Sequence, residues 1–365
     1  MTTQNSAPRP ARALIAMSGG VDSSVAAWLM QRDGYDCTGI TMRLTHNEML
    51  GQSGFHTCCS EKDIEDAAEV AFALDIPYEV LDFTADFREQ IIEKFVRVYE
   101  AGGTPNPCID CNKYMKFNHL LSWAQAHGME YVVTGHYARV EQDPDTGRWL
   151  LKKGLDEGKD QSYVLYNLTQ QQLAHVRLPL GALHKTEVRA IAEQHHFINA
   201  RKHDSQDICF VPDGDYARFM EGFTGKHYPA GDFLDESGKV VGTHNGAVRY
   251  TLGQRKGLGL ALGAPVYVCG KDMQANTVTV GPESALFDRI VYAEDVNWIA
   301  IPELTGPLRV TARHQTEQAA TVYPAENGFR LEFEQPQRAP TPGQSVVLYQ
   351  GDVVLGGGII TRVEK

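Results

Sequence analysis

The sequence of 365 residues lacks the long apolar segments of membrane proteins and the leader of secreted proteins. No stretch approaches the roughly 18 uncharged apolar residues that a membrane-spanning helix needs. Residues 1–11 are polar, contain proline and have no apolar segment of the kind found in secretory signals. We therefore expect a floppy N-terminal extension and a cytoplasmic protein that does not act at a membrane.

Positive charge is also scarce, since the net charge is −12. This balance argues against a protein that binds nucleic acid non-specifically. One segment differs, because residues 244–259 (HNGAVRYTLGQRKGLG) contain Arg249, Arg255 and Lys256 and no acidic residue. The segment is either a solvated loop or a local basic patch that contacts RNA.

The sequence lacks the features of a disulfide-linked secreted domain, although it contains seven cysteines. In a long chain without a secretory signal, cysteines are usually reduced and serve catalysis or metal binding. Cys58 and Cys59 are adjacent and stand just before a predicted helix, where we favour a structural role. Cys37 and Cys269 fall in predicted strands, and Cys209 has apolar neighbours, which alone is more typical of a core residue.

Cys108 and Cys111 form a C-x-x-C pair in TPNPCIDCNKYMKF (104–117), on a Pro-rich loop before a predicted helix. A helix N-terminus lowers the pKa of a thiol, and so do nearby cations such as Lys113 and Lys116. A zinc site would need a second pair at suitable spacing, which the sequence does not offer. The pair therefore favours reactive thiolates.

Apolar periodicity predicts an α/β fold with a doubly wound parallel sheet, which extends to about residue 210. Its predicted strands and helices alternate: strands 13–17, 38–44, 78–81 and 131–134, and helices 25–30, 61–74, 86–99 and 113–127. Ser60 is the predicted N-cap of the second helix. Short runs between Gly and Pro in residues 228–365 predict small β domains, with a boundary near 285 and a possible barrel at the end.

The segment AMSGGVDSS (16–24) joins a predicted strand to a predicted helix. Glycines allow a close backbone approach, and N–H groups at a helix start bind anions. The segment has no Lys-Ser/Thr ending and no G-x-G-x-x-G, so it is neither a Walker loop nor a dinucleotide fingerprint. S-G-G-x-D-S in this setting resembles the pyrophosphate loop of ATP pyrophosphatases, which cleave ATP to AMP and pyrophosphate.

Several further motifs follow in order: TPNPCIDCNK, TGHY (134–137), KDQSY (159–163), DSQDICF (204–210) and LGGGII (355–360). Together with the nucleotide loop, and over essentially the whole chain, they resemble the bacterial tRNA-specific 2-thiouridylase family. The resemblance implies a nucleotide domain like the adenine nucleotide alpha hydrolases (1–210), a small central domain (211–285) and a C-terminal β-barrel that contacts tRNA (286–365).

The resemblance also implies the activity and its partners. The wobble uridine (U34) of tRNAs for Lys, Glu and Gln is adenylated at its C2 oxygen with ATP and Mg²⁺, and sulfur from a cysteine persulfide replaces the oxygen. A cysteine desulfurase or a sulfur-relay protein supplies the persulfide. Cys111 is the implied nucleophile and Cys209 the implied persulfide carrier. The implied ATP contacts are Ala16, Met17, Ser18, Gly19, Gly20, Val21, Asp22, Ser23, Met42 and Gly135. The implied tRNA contacts are Asn106, Pro107, Cys108, His136, Lys159, Asp160, Gln161, Arg313, His314 and Gln344.

Cys108 departs from the family pattern, because many members have Asp at this position. A thiol here argues against a proton-transfer role and leaves an alternative, in which Cys108, Cys111 and Cys209 hold a 4Fe–4S cluster with one open iron. Two other functions stay open. A small-molecule ATP pyrophosphatase ligase would not need the paired cysteines, and a non-catalytic RNA-binding module would not need the intact Ser18–Ser23 loop.

Overall fold

The computed structural model describes residues 9–45, 60–204, 208–211 and 213–365. Cys58, Cys59 and most of the expected N-terminal extension lie outside the described residues. The helices are α1 (Val21–Arg32), α2 (Glu61–Ala73), α3 (Thr84–Phe87), α4 (Glu93–Glu100), α5 (Pro107–Asp110), α6 (Leu120–Ala126), α7 (Gln170–Ala174), α8 (Lys185–Gln194) and α9 (Tyr216–Thr224), with π-helical segments at Arg88–Ile92 and Cys111–His119 and 3₁₀ turns at Ser162–Leu165, Pro179–Ala182, Ala247–Arg249 and Glu283–Leu286.

The strands fall into two compact units. Those of the first unit are β1 (Arg12–Ala16), β2 (Asp36–Arg43), β3 (Tyr78–Asp82), β4 (Tyr131–Val133), β5 (Ala138–Gln142), β6 (Trp149–Lys153) and β7 (Val176–Arg177). Those of the second unit are β8 (Gly231–Leu234), β9 (Val240–His244), β10 (Tyr267–Asp272), β11 (Thr277–Gly281), β12 (Phe287–Trp298), β13 (Leu308–Arg313), β14 (Glu317–Ala325), β15 (Gly328–Arg338), β16 (Ser345–Gln350) and β17 (Val353–Glu364).

The first unit, built from residues up to 87 and from 111–210, contains a five-stranded parallel sheet. Its strand order is β3-β2-β1-β4-β7, so the chain moves outward on one side of β1 and then crosses to the other side. Because parallel crossovers are almost always right-handed, connections that leave β1 in both directions put helices on both faces of the sheet. The doubly wound parallel sheet is confirmed, and the gap between β1 and β4 is its topological switch point.

The core of this unit explains why α1 forms where it does. Val25, Ala26 and Ala27 are fully buried, and they pack with Val70 of α2 and Val188 of α8. Small side chains allow α1 to lie close to the sheet. The N-terminus of α1 lies at the carboxyl end of β1 because only residues 17–20 separate the two elements.

The second unit comprises residues 88–110 and 211–365. It contains α4, α5 and α9, a four-stranded sheet of order β10-β11-β8-β9, and a separate barrel. The barrel is closed, because six antiparallel strands pair in a ring of order β12-β15-β14-β13-β16-β17 and β17 pairs again with β12. Its interior is apolar, with Val310, Val322 and Phe333 among the buried side chains. The predicted C-terminal β-barrel is confirmed.

One predicted boundary is wrong. The helix expected from residue 113 already begins with α5 at Pro107, so Cys108 and Cys111 lie in helical turns and not on a loop. The reason is local: the Asn106 side chain accepts hydrogen bonds from the backbone N–H of Cys108 (3.2 Å) and of Ile109 (3.3 Å). Asn at the N-cap followed by Pro at the first helical position is a strong start signal.

Among the described helices, none is long and apolar enough to cross a bilayer.

Candidate active site

Residues 16–24, here called the glycine loop, connect the end of β1 to the first turn of α1 at the topological switch point. Gly19 has a φ of +70°. A Cβ atom there would lie 2.3 Å from the backbone oxygen of Asp63 at the start of α2. Only glycine satisfies both conditions, because other residues would strain the backbone and collide with α2.

The loop serines hold the turn. The backbone N–H of Ser18 donates to Ser23 Oγ (3.1 Å), and Ser23 and Ser24 both donate to the carbonyl oxygen of Gly20 (3.0 and 3.1 Å). Within the described chain no side chain caps the N-terminus of α1. Its first-turn N–H groups and the positive end of the helix dipole are therefore available to an anion.

Gly135, after β4, closes the other side of this cradle. A Cβ on Gly135 would lie 2.8 Å from the backbone carbon of Asp22 and 2.9 Å from the backbone nitrogen of Ser23. The ends of β1 and β4 thus meet at the start of α1, where nucleotides bind in folds of this topology. Two other implied ATP contacts lie on the sheet: Ala16 ends β1, and Met42 is a buried residue of the adjacent β2.

Asp22 is the only implied contact of this loop with a negative charge, and its carboxylate is neutralised. Tyr137 donates its hydroxyl to Asp22 Oδ1 (2.7 Å), and Lys185 Nζ lies 2.7 Å from both carboxylate oxygens. Burial raises the pKa of Tyr137, and the Asp22 carboxylate raises this pKa further. Lys185 is buried as a residue (8% exposed), and its ammonium offsets the charge of Asp22, so the carboxylate repels an anion at the helix start less.

Asp204 extends this charge network. Its carboxylate lies 2.8 Å from Lys159 Nζ, 2.8 Å from Lys185 Nζ and 2.9 Å from Arg189 Nη2. Burial alone would raise the pKa of Asp204, but the hydrogen bonds from Lys159 and Lys185 lower this pKa to about 2. Lys185 therefore connects Asp22 of the glycine loop with Asp204 of the DSQDICF motif.

Two further side chains support the glycine loop through hydrogen bonds to its backbone. Lys202 Nζ donates to the carbonyl oxygen of Gly19 (3.1 Å) and pairs with Asp63 (2.6 Å) and Asp66 (2.7 Å). Asn199 Nδ2 donates to the same Gly19 carbonyl (3.1 Å), whereas Asn199 Oδ1 is buried without a hydrogen-bond partner. The glycine cradle and the uncapped helix together fit an anionic ligand such as a polyphosphate.

The cysteines implied in sulfur transfer occupy both units. Cys111 and Cys209 are half-buried residues of the first unit, and Cys108 is an exposed residue of the second. α3 contacts the helical segment that begins at Cys111. Phe87, at the end of α3, packs its ring 5.8 Å from that of Phe210. The two half-buried cysteines thus belong to segments that share α3 as a neighbour.

The tRNA contacts implied in the first unit support local structure. His136 is buried, and its Nδ1 lies 2.7 Å from Thr134 Oγ1. Gln161 Oε1 accepts from the backbone N–H of Tyr137 (3.0 Å), and Asp160 accepts from the backbone N–H of Ser162 (3.1 Å). Lys159 and Asp160 stand next to one another, but their side chains face different partners.

The other implied tRNA contacts lie in the second unit. Arg313 ends β13, and His314 follows it with a buried Nδ1 that has no hydrogen-bond partner. Burial lowers the pKa of His314 to about 4. Gln344 precedes β16 and also has a buried, unsatisfied side-chain oxygen. Asn106 and Pro107 form the cap and the first residue of α5.

Sequence reasoning missed the residues around the loop that act through long-range contacts: Tyr137, Lys185, Asn199, Lys202 and Asp204. Two of them stand in quoted motifs, TGHY and DSQDICF, and that position was the available signal. The two lysines had no local signal, because Lys185 lies 163 positions from Asp22 and Lys202 lies 183 positions from Gly19.

In the ranges that the structure describes, no three His, Cys, Asp or Glu side chains are grouped as metal ligands.

Three family models match the chain in sequence. They are described as a tRNA methyl transferase HUP domain (residues 11–213), a tRNA methyl transferase PRC-barrel domain (217–282) and an aminomethyltransferase beta-barrel domain (288–360). Together they cover nearly the whole chain, and the first two descriptions name a tRNA-modifying family.

Curated relatives align over the same length. The tRNA-specific 2-thiouridylase MnmA of Moorella thermoacetica is 50% identical over 356 residues, which is 96% of this chain and 100% of that protein. The protein of the same name from Symbiobacterium thermophilum is 48% identical over 97% of this chain and 93% of its own length. That of Acetivibrio thermocellus is 46% identical over 96% and 99%. Near-complete alignment at this identity, around a nucleotide loop of the observed geometry, shows that the chain belongs to the tRNA-specific 2-thiouridylase family.

Proposed function

We propose that this chain is an ATP-dependent tRNA sulfurtransferase that converts the wobble uridine of tRNA into 2-thiouridine. The observation that carries the proposal is the glycine cradle at the start of α1, in a chain that is 50% identical to a 2-thiouridylase over 96% of its length. We assign ATP activation to a nucleotide domain (1–210), which is followed by a small central domain (211–285) and a C-terminal barrel that contacts tRNA (286–365). We place the reaction in the cytoplasm.

The chain's own residues divide the first step between them. The N–H groups at the start of α1 bind the phosphates of ATP. Gly19 and Gly135 have no Cβ, so the phosphates can approach the backbone closely. Lys185 is held by two carboxylates, Asp22 and Asp204, and places a cation beside the start of α1. Asp22 would be the carboxylate that holds an ATP-bound Mg²⁺, which would neutralise the departing pyrophosphate. The substrate's C2 oxygen is a poor leaving group, and its adenylation turns it into AMP, which departs readily.

Sulfur then comes from the cysteines. Cys209 carries a persulfide, and the thiolate of Cys111 attacks its inner sulfur. This forms a Cys111–Cys209 disulfide and releases hydrosulfide, which adds to C2 as AMP leaves. A thiol reductant then restores both cysteines. In the alternative order the terminal persulfide sulfur attacks C2 and Cys111 afterwards cleaves the mixed disulfide that remains.

The wobble base of an anticodon loop is easily extruded, because it is single-stranded. We infer that the substrates are tRNAs for Lys, Glu and Gln, and that a cysteine desulfurase or a relay protein loads Cys209. Methyl transfer, which the family-model descriptions mention, would require neither a pyrophosphate loop nor paired thiols.

The test is single-turnover thiolation. Persulfide-loaded protein is mixed anaerobically with unmodified tRNA-Glu, ATP and Mg²⁺, for wild type, Cys108→Ser, Cys111→Ser and Cys209→Ser. We expect wild type and Cys108→Ser to form 2-thiouridine and AMP, and the other two variants to form no thiolated product.

The iron content of the purified protein distinguishes the persulfide mechanism from the iron–sulfur alternative. If all three variants are inactive and activity follows bound iron, a 4Fe–4S cluster held by Cys108, Cys111 and Cys209 replaces the persulfide mechanism. If no protein, wild type included, thiolates tRNA, and Cys111→Ser still cleaves ATP to AMP and pyrophosphate as wild type does, the chain is a different ATP pyrophosphatase.

A further inference from the structure

We propose that the loop formed by residues 251–258, here called the basic loop, is a preformed binding element for RNA phosphates, with Arg255 and Lys256 as the phosphate ligands. The proposal rests on the function proposed above, because it names a surface of the second unit that grips the tRNA.

Charge singles out this loop. The chain carries −12 overall, yet no acidic residue occurs between Glu236 and Asp272. The nearby Arg249 is neutralised, because its Nη2 lies 2.7 Å from Glu221 Oε2. Arg255 and Lys256 are exposed, and no carboxylate of the described residues forms an ion pair with either of them. The two cations therefore keep their full charge for an external partner.

The basic loop is held by its own central residue. The backbone N–H of Thr251 donates to Gln254 Oε1 (3.1 Å), and Gln254 Nε2 donates to the carbonyl oxygen of Lys256 (3.0 Å). Gln254 thus bridges the residues on both sides of Arg255. At the other end of the loop, the side chain of Leu258 is buried in the apolar cluster formed by the four-stranded sheet β10-β11-β8-β9 and its surroundings.

The loop is also fixed to neighbouring strands of its unit. The N–H of Gly253 donates to the carbonyl oxygen of Val268 (2.8 Å), and the N–H of Val268 donates to that of Gln254 (3.0 Å). Arg338 Nη2 donates to the Gly253 carbonyl (3.0 Å). Gly253 and Gly257 have φ values of +82° and +77°, so the two sharp bends of the loop suit glycine.

A loop fixed at both ends that exposes two unpaired cations loses little conformational entropy on binding. RNA fits better than an acidic protein surface, because phosphates repeat along its backbone and both Arg and Lys bind them. A chain of net charge −12 also needs local cations to offset its long-range repulsion of RNA.

The experiment compares Arg255→Ala/Lys256→Ala with a matched control, Arg309→Ala/Lys226→Ala. The control removes the same residue types from the same unit, but both of its cations already pair with carboxylates, Glu334 and Glu100. Affinity for unmodified tRNA-Glu is measured by fluorescence anisotropy at several KCl concentrations, beside urea unfolding and the kcat and KM of thiolation.

We expect the loop variant to lower the slope of log affinity against log salt by roughly 0.7–0.9 per lost contact, or about 1.5 in all. Its affinity near 0.15 M salt should fall about tenfold, with KM raised and kcat unchanged at saturating tRNA. The control should match wild type. A Gln254→Ala variant should weaken binding while keeping the wild-type slope, because both phosphate contacts can still form.

A loop variant that matches the control in slope and affinity overturns the proposal and leaves the sulfurtransferase function intact. If that variant binds tRNA normally but accepts sulfur slowly from its donor protein, the loop binds an acidic protein and the RNA proposal is wrong. A wild-type protein that neither binds nor thiolates tRNA overturns the loop proposal and the function together.

Discussion

Gly19 and Gly34 illustrate two different demands that a fold places on glycine. Both have positive φ values, +70° and +86°. A Cβ at Gly34 would meet nothing within 4 Å, whereas one at Gly19 would overlap the backbone of Asp63. Position 34 needs glycine only for its backbone conformation, whereas position 19 needs it both for its conformation and because there is no space for a Cβ.

We therefore predict that Gly34→Ala costs about 1–2 kcal/mol of unfolding free energy, the penalty for a left-handed alanine. Gly19→Ala should cost more, because α2 must also shift, and it should abolish binding of a non-hydrolysable ATP analogue. Urea unfolding and isothermal calorimetry measure the two effects. Equal analogue affinity in both variants would show that the nucleotide does not approach Gly19.

At this scale the sequence indicated the loop but not its surroundings. The S-G-G-V-D-S signature needs no tertiary information, because its hydroxyls and glycines act within one turn. The partner of Asp22 was not predictable, since an ion pair between residues 163 positions apart leaves no local pattern. The roles of the implied contact residues in ATP and tRNA binding stay predictions.

Among the elements, α2 is joined to the glycine loop by a charge cluster. Its N-terminus has the predicted Ser60 cap, and Asp63 completes a capping box. Lys202 pairs with Asp63 and Asp66 of this helix, and Asp66 is also 2.9 Å from Lys62. Because Asp63 and Asp66 are largely buried, loss of Lys202 would leave them with too little positive charge.

We predict that Lys202→Met lowers the unfolding free energy by about 3 kcal/mol, because it leaves buried charge uncompensated. The neighbouring Arg201→Met is the matched control: its side chain is 90% exposed and its pair with Glu193 is 3.5 Å long. A surface pair of that kind contributes about 0–1 kcal/mol. Chemical denaturation of both variants measures the difference, and similar losses would contradict the role assigned to Lys202.

Most elements of the parallel sheet followed from apolar periodicity, because buried strands and amphipathic helices have distinct repeats. The start of α5 was missed although Asn106 and Pro107 are typical start residues; the proline-rich context favoured a loop. The β5–β6 hairpin has mixed burial along both strands, so its sequence gives little periodic signal.

For the whole molecule, buried histidines make stability depend on pH. Burial lowers the pKa of His136, His244 and His314, and that of His314 falls to about 4. An unfolded histidine binds a proton near pH 6.5, where the folded protein keeps these rings neutral. Between pH 6.5 and about 4 the unfolded state thus takes up protons that the folded state does not, and stability falls as pH falls.

We predict that the urea midpoint drops between pH 7.5 and pH 5, with His314 contributing roughly 2 kcal/mol of the loss. His314→Gln should show a smaller drop over this interval, whatever its absolute stability. Midpoints at pH 7.5, 6 and 5 for both proteins provide the test. Parallel pH profiles would mean that His314 is protonated equally easily in both states.

The closed barrel of the second unit also has a consequence during synthesis. Its first strand, β12, pairs along its length with β17, and β17 pairs with β16 as well. The ring cannot close until the ribosome has released residues 353–364, so the growing chain carries two unpaired strand edges until then. A nascent or truncated chain without β17 would therefore be a target for chaperones and proteases.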